Sequence, residues 1–135
     1  MSALFLLDTN ILIAALKGRP EIRQRLETAE LNTLRLSVIV LGELEFGAEK
    51  SAYGERNRAR LATLAQRLPL VDIDYDTTLH YGRIRAFLEG EGTPIGENDT
   101  WIAAQTLAIG ATIVTDNVRE FSHVPGLSVE NWLQP

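Results

Sequence analysis

The stretch LFLLDTNIL, residues 4–12, decides how the rest of the chain is interpreted. Its first four residues are all apolar, which is typical of a short strand buried on both faces, as in parallel sheets. The apolar run ends abruptly at Asp8, Thr9 and Asn10. Because apolar residues then recur at helical spacing, the stretch predicts a buried strand, a polar turn and a helix in immediate succession.

The same alternation repeats along the chain. Further short strands are predicted at residues 34–37, 71–74 and 112–115, with a last one near 127–129, and helical patterns lie between them. Alternating strands and helices imply an α/β fold, with a small, twisted parallel sheet of four to five strands flanked by helices. Since no repeat, low-complexity tract or linker interrupts the sequence, we expect one domain over residues 1–135.

The helical patterns also predict caps and core positions. Ser37 is expected to begin the helix that follows the second strand, and Phe46 to lie on the buried side of that helix. Asp76 is expected to cap a later helix, in which Leu79 and Phe87 are expected to face the core.

The composition limits the chemistry that the chain can carry. Its 135 residues are 45% hydrophobic and 23% charged, which is typical of a globular domain. There is no cysteine, so disulfides, a thiol nucleophile and thiolate metal sites are excluded. The two histidines, His80 and His123, are too far apart in the sequence to favour a compact zinc site. The remaining candidate metal ligands are carboxylates.

The charge balance and apolar segments suggest where the chain works. A formal net charge of −5 argues against holding nucleic acid by bulk electrostatics, but contact through metal ions remains compatible with it. The arginines at 56, 58, 60 and 67 form either a solvated helix face or a contact for phosphate or a partner. The N-terminus lacks the pattern of a signal peptide, and the uncharged residues 100–115 are too few for a membrane span. We expect a cytoplasmic protein without a membrane contact.

Four acids stand where a parallel sheet would bring them together. Asp8 and Asp116 each follow an apolar strand, and Asp99 lies at the start of a helix. Glu43 lies on or beside an apolar helix stripe, where an unpaired carboxylate is unfavourable. Ligands of open α/β sheets bind beyond the carboxyl ends of the strands, so these side chains are expected to converge. A divalent cation such as Mg²⁺ or Mn²⁺ would relieve their mutual repulsion.

These acids also have purely structural interpretations. Asp8 and Asp99 could cap a helix or favour its dipole, and Asp116 could form an Asx turn. These interpretations weaken together, because all the acids would have to share one sheet edge by coincidence. An α/β domain phosphorylated on Asp8 is a second enzyme class, but it needs a lysine after a late strand, and the only lysines are Lys17 and Lys50.

Five motifs follow one another along the chain. They are LDTNILI at 7–13, GELEFG at 42–47, IRAxLE at 84–89, PIGxNDxxIAA at 94–104 and VTDNxxEF at 114–121. The ordered set resembles the PIN-domain ribonucleases, specifically the VapC toxins of bacterial type II toxin–antitoxin pairs. The resemblance departs at Val40, where relatives often carry a threonine. It also leaves open whether Asp116 or Asn117 fills the last acidic position.

The resemblance implies an Mg²⁺- or Mn²⁺-dependent endoribonuclease that hydrolyses phosphodiesters of tRNA or ribosomal RNA. A metal-activated water would displace the 3′ oxygen in line, with one ion held by Asp8 and Asp99, or with a second near Glu43 and Asp116. The implied site residues are the catalytic, metal-binding carboxylates Asp8, Glu43, Asp99 and Asp116, and the supporting or water-positioning groups Asn10, Thr115 and Asn117.

The resemblance also implies partners. Relatives are homodimers that form hetero-oligomers with a small VapB-type antitoxin. The antitoxin lays a helix in a hydrophobic groove and directs a basic side chain toward the carboxylates, and an acidic toxin suits such a partner. The alternative is a degenerate PIN module that binds RNA or protein without cleavage, which would be favoured if the acids failed to cluster or bound no metal.

Overall fold

The strand predicted at the start of the chain is the centre of the sheet. A computed structural model describes residues 3–52 and 54–134. In it, β1 (Phe5–Leu7) pairs in parallel with a strand on each side, within a five-stranded sheet of order β3-β2-β1-β4-β5. The other strands, also parallel, are β2 (Leu34–Ser37), β3 (Leu70–Val71), β4 (Thr112–Val114) and β5 (Ser128–Glu130). The predicted α/β fold is confirmed.

Helices connect the strands and flank the sheet. Those of the described residues are α1 (Thr9–Leu16), α2 (Pro20–Thr28), α3 (Val38–Lys50), α4 (Gly54–Arg67), α5 (Tyr75–Gly90), α6 (Glu97–Ala108) and α7 (Val118–Phe121). Within this part of the chain, no helix has both the length and the apolar character that a bilayer crossing requires.

The strand order places a crevice beside β1. The chain runs from β1 outward to β2 and β3, and then returns to add β4 and β5 on the other side of β1. Because Leu6 and Leu7 are fully buried, polar chemistry is confined to the strand end, where Asp8 follows β1 and Thr115 follows β4. The order of strands reverses between β1 and β4, and such a reversal is where open α/β sheets bind ligands.

A buried glutamine ties α6 to the neighbouring strand ends. Gln105 is fully buried, and its Oε1 accepts a short hydrogen bond from the Ser37 hydroxyl. Its Nε2 donates to the carbonyl oxygens of Val71 at 3.0 Å and Asp72 at 3.3 Å. The Ser37 hydroxyl also accepts from the backbone N–H of Ile39 and caps α3, as predicted. These bonds fix α3 and α6, the two helices that carry Glu43 and Asp99, to the sheet.

Three apolar side chains that were expected in the core are exposed. Phe46 is 64% exposed, Leu79 41% and Phe87 45%, so those predictions are wrong. The buried side of α3 includes Leu44. Phe46 is two positions further along, about 200° around the helix, and therefore lies on the exposed side. The buried side of α5 includes Ile84, and the side chains of Leu79 and Phe87 lie toward solvent.

The start of α5 also differs from the prediction. Asp74, not Asp76, caps the helix, and its Oδ1 accepts from the N–H of Thr77 at 2.9 Å and from the Thr77 hydroxyl at 2.7 Å. Asp76 lies inside the first turn instead. Because Asp74 is engaged as a cap, the strand predicted over residues 71–74 ends at Val71.

We predict that Gln105→Leu lowers the free energy of unfolding by about 2–3 kcal/mol, because Ser37 and the carbonyls of Val71 and Asp72 lose a buried partner. Urea denaturation followed by circular dichroism measures this change. Gln24→Leu, at an exposed position of α2, is the matched control and should change it by less than about 0.5 kcal/mol. Equal effects of the two substitutions would contradict the role assigned to Gln105.

Candidate active site

Asp8 is a buried carboxylate held by three donors. It is 4% exposed, and its Oδ1 accepts from the N–H of Thr9 at 2.8 Å. Its Oδ2 accepts from the hydroxyl of Thr115 at 2.8 Å and from Nδ2 of Asn10 at 3.2 Å. Burial raises the pKa of Asp8 above its ordinary value, the three hydrogen bonds oppose that rise, and the charge of Asp116 adds to it. The carboxylate is therefore fixed in direction while its charge remains poorly compensated.

The three predicted supporting residues form a network around Asp8. Oδ1 of Asn10 accepts from the N–H of Asp116 at 3.0 Å, which joins the start of α1 to the end of β4. The hydroxyl of Thr115 accepts from the N–H of Asn117 at 3.0 Å while it donates to Asp8. The Thr115 hydroxyl has a single proton, which it donates to Asp8, so Asp8 is the acceptor in this hydrogen bond.

Glu43 is joined to the same network by a threonine. It lies on α3, half-buried, and its Oε1 accepts from the hydroxyl of Thr9 at 2.8 Å. Val40 is a fully buried core residue, and the hydroxyl that Glu43 contacts is that of Thr9, the residue next to Asp8. Thr9 therefore links the neighbourhoods of Asp8 and Glu43, although 34 positions separate it from Glu43.

Asp99 lies at the meeting point of several negative charges. It occupies the third position of α6 and is half-buried. Its pKa is raised to about 7, first by burial, then by the charges of Asp8, Glu120 and Glu43 and by a hydrogen bond with Glu120. Two of the other predicted acids, Asp8 and Glu43, thus lie close enough to Asp99 for their charges to raise its pKa.

Asp116 is placed differently. Its carboxylate is exposed and contributes repulsion at Asp8, but it is not among the charges that shift Asp99. The backbone of Asp116, through its N–H, contacts Asn10. Asp116 therefore lies at the Asp8 side of the site.

Glu120 is an acid of this site that the sequence reasoning missed. It is on α7, a helix of four residues that the apolar pattern did not predict. Its Oε2 accepts from Nδ2 of Asn117 at 3.2 Å, and its carboxyl group hydrogen-bonds Asp99. The available signal was the spacing of Asn117 and Glu120, because residues three apart lie on one face of a helix.

The negative charge of the site is not neutralised within the described chain. Across residues 3–52 and 54–134, no arginine, lysine or histidine forms an ion pair with these carboxylates. In the same residues, no three acidic or histidine side chains are arranged to hold one ion together. Mg²⁺ needs fewer, because it is commonly bound by one or two carboxylates and keeps water or phosphate oxygens elsewhere. The oxygen-only donor set and the uncompensated charge therefore fit a hard divalent cation.

An apolar groove opens beside Glu43, between α1, α3 and α4. Its volume is about 210 Å³. The residues that line it include the apolar side chains Ile13, Leu16, Leu44 and Leu61 and the charged side chains Lys17, Glu43 and Arg60.

Part of the arginine-rich segment has partners within the chain. Arg58 forms ion pairs with Glu45 at 3.4 Å and, more closely, with Glu49. Nη1 of Arg60 donates to the carbonyl of Leu16 at 3.1 Å and so supports the end of α1. These two arginines stabilise the α1, α3 and α4 layer that forms the groove.

Sequence comparisons match these features to known proteins. The model of the PIN domain family matches residues 5–127. Ribonuclease VapC2 of Rickettsia felis is 40% identical over 131 residues, which cover 96% of this chain and 98% of the relative. The tRNA(fMet)-specific endonuclease VapC of Salmonella typhimurium is 44% identical over 131 residues, which cover 95% of this chain and 97% of the relative.

Solved structures give the same likeness in three dimensions. The structure of VapBC2 from Rickettsia felis, bound to a DNA fragment from the promoter, contains a chain with a TM-score of 0.90 and 39% identity, covering 96% of this chain and 98% of that one. DNA-bound VapBC from Salmonella typhimurium gives a TM-score of 0.90 and 40% identity, with 97% and 99% covered. With nearly every residue matched in both directions, the chain belongs to the PIN-domain family, within its VapC ribonucleases.

Proposed function

We propose that this chain is an Mg²⁺- or Mn²⁺-dependent endoribonuclease that acts in the cytoplasm, as a single domain over residues 1–135, as the toxin of a VapBC-type pair. The observation that carries the proposal is the closeness of Asp8 and Glu43 to Asp99, whose pKa their charges raise. These acids come from separate parts of the chain, and Asp8 directly follows β1, beside the point where the strand order reverses. Family membership supports cleavage of RNA, and the carboxylates are the groups that such cleavage requires.

Asp8 and Asp99 would hold the ion, with Glu43 beside them, Asp116 at the Asp8 side of the site and Glu120 at the Asp99 side. When bound, a divalent ion supplies positive charge for phosphate oxygens and a water that loses its proton near neutral pH. The chain fixes two of these carboxylates in advance: Asp8 is held by three donors, and Glu43 by the hydroxyl of Thr9. Such outer contacts keep ligand oxygens in place and so favour binding of the ion.

Asp99 is the group of this site that holds a proton near neutral pH. With a pKa of about 7, its carboxyl group is partly protonated at neutrality in the metal-free protein. Binding of a cation requires that proton to leave, because the carboxylate is the form that coordinates. Asn117 orients Glu120 through its side-chain amide, and Asn10 keeps the adjoining strand end in position. The net charge of −5 for the whole chain would make the approach of RNA depend on cations at this site.

The substrate class follows from the relatives. One of them, from Salmonella typhimurium, is named a tRNA(fMet)-specific endonuclease. We extend this to tRNA or ribosomal RNA as the substrate class of the present chain. A PIN module that binds without cutting would be expected to lack acids of the site, whereas this chain retains Asp8, Glu43, Asp99 and Asp116.

A VapB-type antitoxin is the proposed protein partner, in a hetero-oligomer built on a homodimer of this chain. The groove beside Glu43 offers apolar side chains to a partner helix, and the neighbouring carboxylates would accept a basic side chain from it. The net charge of −5 favours a basic partner segment. The solved relatives with TM-scores of 0.90 are VapBC complexes, which agrees with this proposal.

We predict that Asp8→Asn and Asp99→Asn each reduce RNA cleavage at least about 100-fold, because each removes a charged ligand from the site. Cleavage of total tRNA by the purified chain, measured on gels, tests this. Asp76→Asn, on the exposed side of α5, is the control and should retain activity. EDTA should stop the wild-type reaction, and Mg²⁺ or Mn²⁺ should restore it. Undiminished cleavage by Asp99→Asn, or by the wild type in EDTA, would contradict the proposal.

Glu120 and Asp116, the acids at the two sides of the site, are expected to contribute differently to the binding of Mg²⁺. Glu120→Gln should raise the Mg²⁺ concentration for half-maximal cleavage about 10-fold, because Glu120 contacts Asp99 directly. Asp116→Asn should raise it only about 3-fold, because Asp116 acts on Asp8 through its charge, which solvent screens at this exposed position. Mg²⁺ titrations of the cleavage rate measure both, with the exposed Glu27→Gln of α2 as control. A larger effect at Asp116 would reverse this assignment.

Metal-free stability should depend on pH through Asp99. Its pKa rises from 3.8 to about 7 on folding, so the folded protein binds the extra proton and loses stability as the pH rises between those values. Asp99→Asn should therefore stabilise the protein in EDTA at pH 8 by about 1–2 kcal/mol, a value discounted because the carboxyl is half-exposed. The gain should vanish near pH 4.

Urea unfolding at pH 4, 6 and 8 measures this dependence. Addition of Mg²⁺ at pH 8 should stabilise the wild type more than Asp99→Asn, because only the wild type retains the full ligand set. Equal stabilities at pH 8 in EDTA would show that Asp99 carries no such repulsion.

A further inference from the structure

The first turn of α6, which presents Asp99, has little support from its own end. Gly96 precedes the helix and has no side chain to accept a bond from the first N–H groups. Glu97 and Asn98, which begin the turn, are exposed, and Asp99 is half-buried. Within the turn, the Thr100 hydroxyl donates to the carbonyl of Gly96 at 2.9 Å, so contacts made from outside α6 supply the remaining support for the direction of the Asp99 carboxylate.

Tyr81 of α5 contacts this turn on both sides of Asp99. Its ring stacks on that of Trp101, with ring centroids 3.8 Å apart and planes inclined by 16°. Its hydroxyl donates a long hydrogen bond to Oε1 of Glu97 at 3.3 Å. Residues 97 and 101 are four apart and lie on one face of the helix, whereas Asp99 is about 200° from each. Tyr81 thus contacts the face of the turn that carries Glu97 and Trp101, and Asp99 projects from the opposite face toward the other acids.

Arg85 fixes the direction of the tyrosine hydroxyl. Its Nη1 donates to the hydroxyl oxygen of Tyr81 at 2.9 Å, and its Nε donates to Oε2 of Glu89 at 3.0 Å. Because an arginine can only donate, the proton of the Tyr81 hydroxyl is left for Glu97. The hydrogen bonds from Arg85 to Tyr81 and from Tyr81 to Glu97 keep the carboxylate of Glu97 directed toward α5.

The restraint on Glu97 matters because of what surrounds it. Glu97 borders the same surface depression as Glu43 and Asp99. A carboxylate released there would add another negative charge beside a group whose pKa is already raised by its neighbours. The contact with Tyr81 therefore serves the geometry and the charge of the site together.

We propose that Tyr81 is a positioning residue for Asp99, which fixes the first turn of α6 through Trp101 and Glu97. The inference rests on the proposed metal-dependent cleavage. Tyr81 itself touches neither RNA nor the ion in this role. Its loss lets Asp99 adopt several directions, which weakens the binding of a divalent ion more than the binding of RNA.

The test measures Mn²⁺ binding to the full chain without RNA, by isothermal titration calorimetry, and the Mg²⁺ dependence of cleavage. Tyr81→Leu should raise the Mn²⁺ Kd and the Mg²⁺ concentration for half-maximal cleavage about 10-fold. The KM for RNA at saturating Mg²⁺ should change less than about 2-fold, since RNA contacts are untouched. Tyr81→Phe keeps the stack and should cost only about 2-fold in Kd, as expected for loss of one long hydrogen bond.

The control makes the same substitution elsewhere on α5. Tyr75→Leu, at a residue that is 79% exposed, should leave the Mn²⁺ Kd unchanged. Trp101→Leu removes the other half of the stack and should match Tyr81→Leu, and the double variant should lose little more, because both act through one contact. Thermal unfolding of each variant ensures that the folded chain is measured. If Tyr81→Leu fails to fold, Tyr81→Phe and Trp101→Leu decide the question.

The outcomes separate the two proposals. A wild type that binds Mn²⁺ and cleaves RNA, together with a folded Tyr81→Leu or Trp101→Leu of unchanged Mn²⁺ affinity, would overturn the positioning role alone. A rise in the KM for RNA without a change in Mn²⁺ affinity would also overturn it. A wild type that binds no Mn²⁺ and cleaves no RNA would overturn the proposed function, and the positioning role with it.

Discussion

Mutual repulsion among carboxylates at one edge of a buried sheet is the constraint on which the rest of the structure depends. Leu6 and Leu7 bury β1 completely, so its chemistry is concentrated in Asp8, which follows it. The reversal of strand order beside β1 leaves a crevice there, and α3 and α6 bring Glu43 and Asp99 to it. Like charges at such a place are tolerated because donors hold them, and the proposed cation would neutralise them.

The contacts that hold these acids form a layer behind them. Thr9 joins Asp8 to Glu43, and the caps and carbonyls bound by Gln105 fasten α3 and α6 to the sheet. Tyr81 adds a restraint at the first turn of α6, which begins without a side-chain cap. Hydrogen bonds and ring contacts therefore set the directions of the elements that carry these carboxylates, and this support would keep the proposed site in shape before an ion binds.

The sequence predicted the sheet and three of the interacting acids, because a buried strand that ends in a carboxylate is visible without any structure. It could not reveal the Thr9 contact, since tertiary packing brings that residue to Glu43 from 34 positions away. Glu120 was missed because α7 has only four residues and too little apolar periodicity to be recognised. Phe46 was misplaced because an aromatic side chain two positions from a buried leucine was counted with the buried side.

The central claim is that acids from separate elements form one divalent-cation site at the edge between β1 and β4. Anomalous diffraction from crystals soaked in Mn²⁺ locates the ion without reference to activity. The account predicts a manganese peak within coordination distance of the carboxylates of Asp8 and Asp99, and loss of that peak in Asp99→Asn. A peak bound elsewhere on the chain, with this edge empty at saturating Mn²⁺, would contradict it.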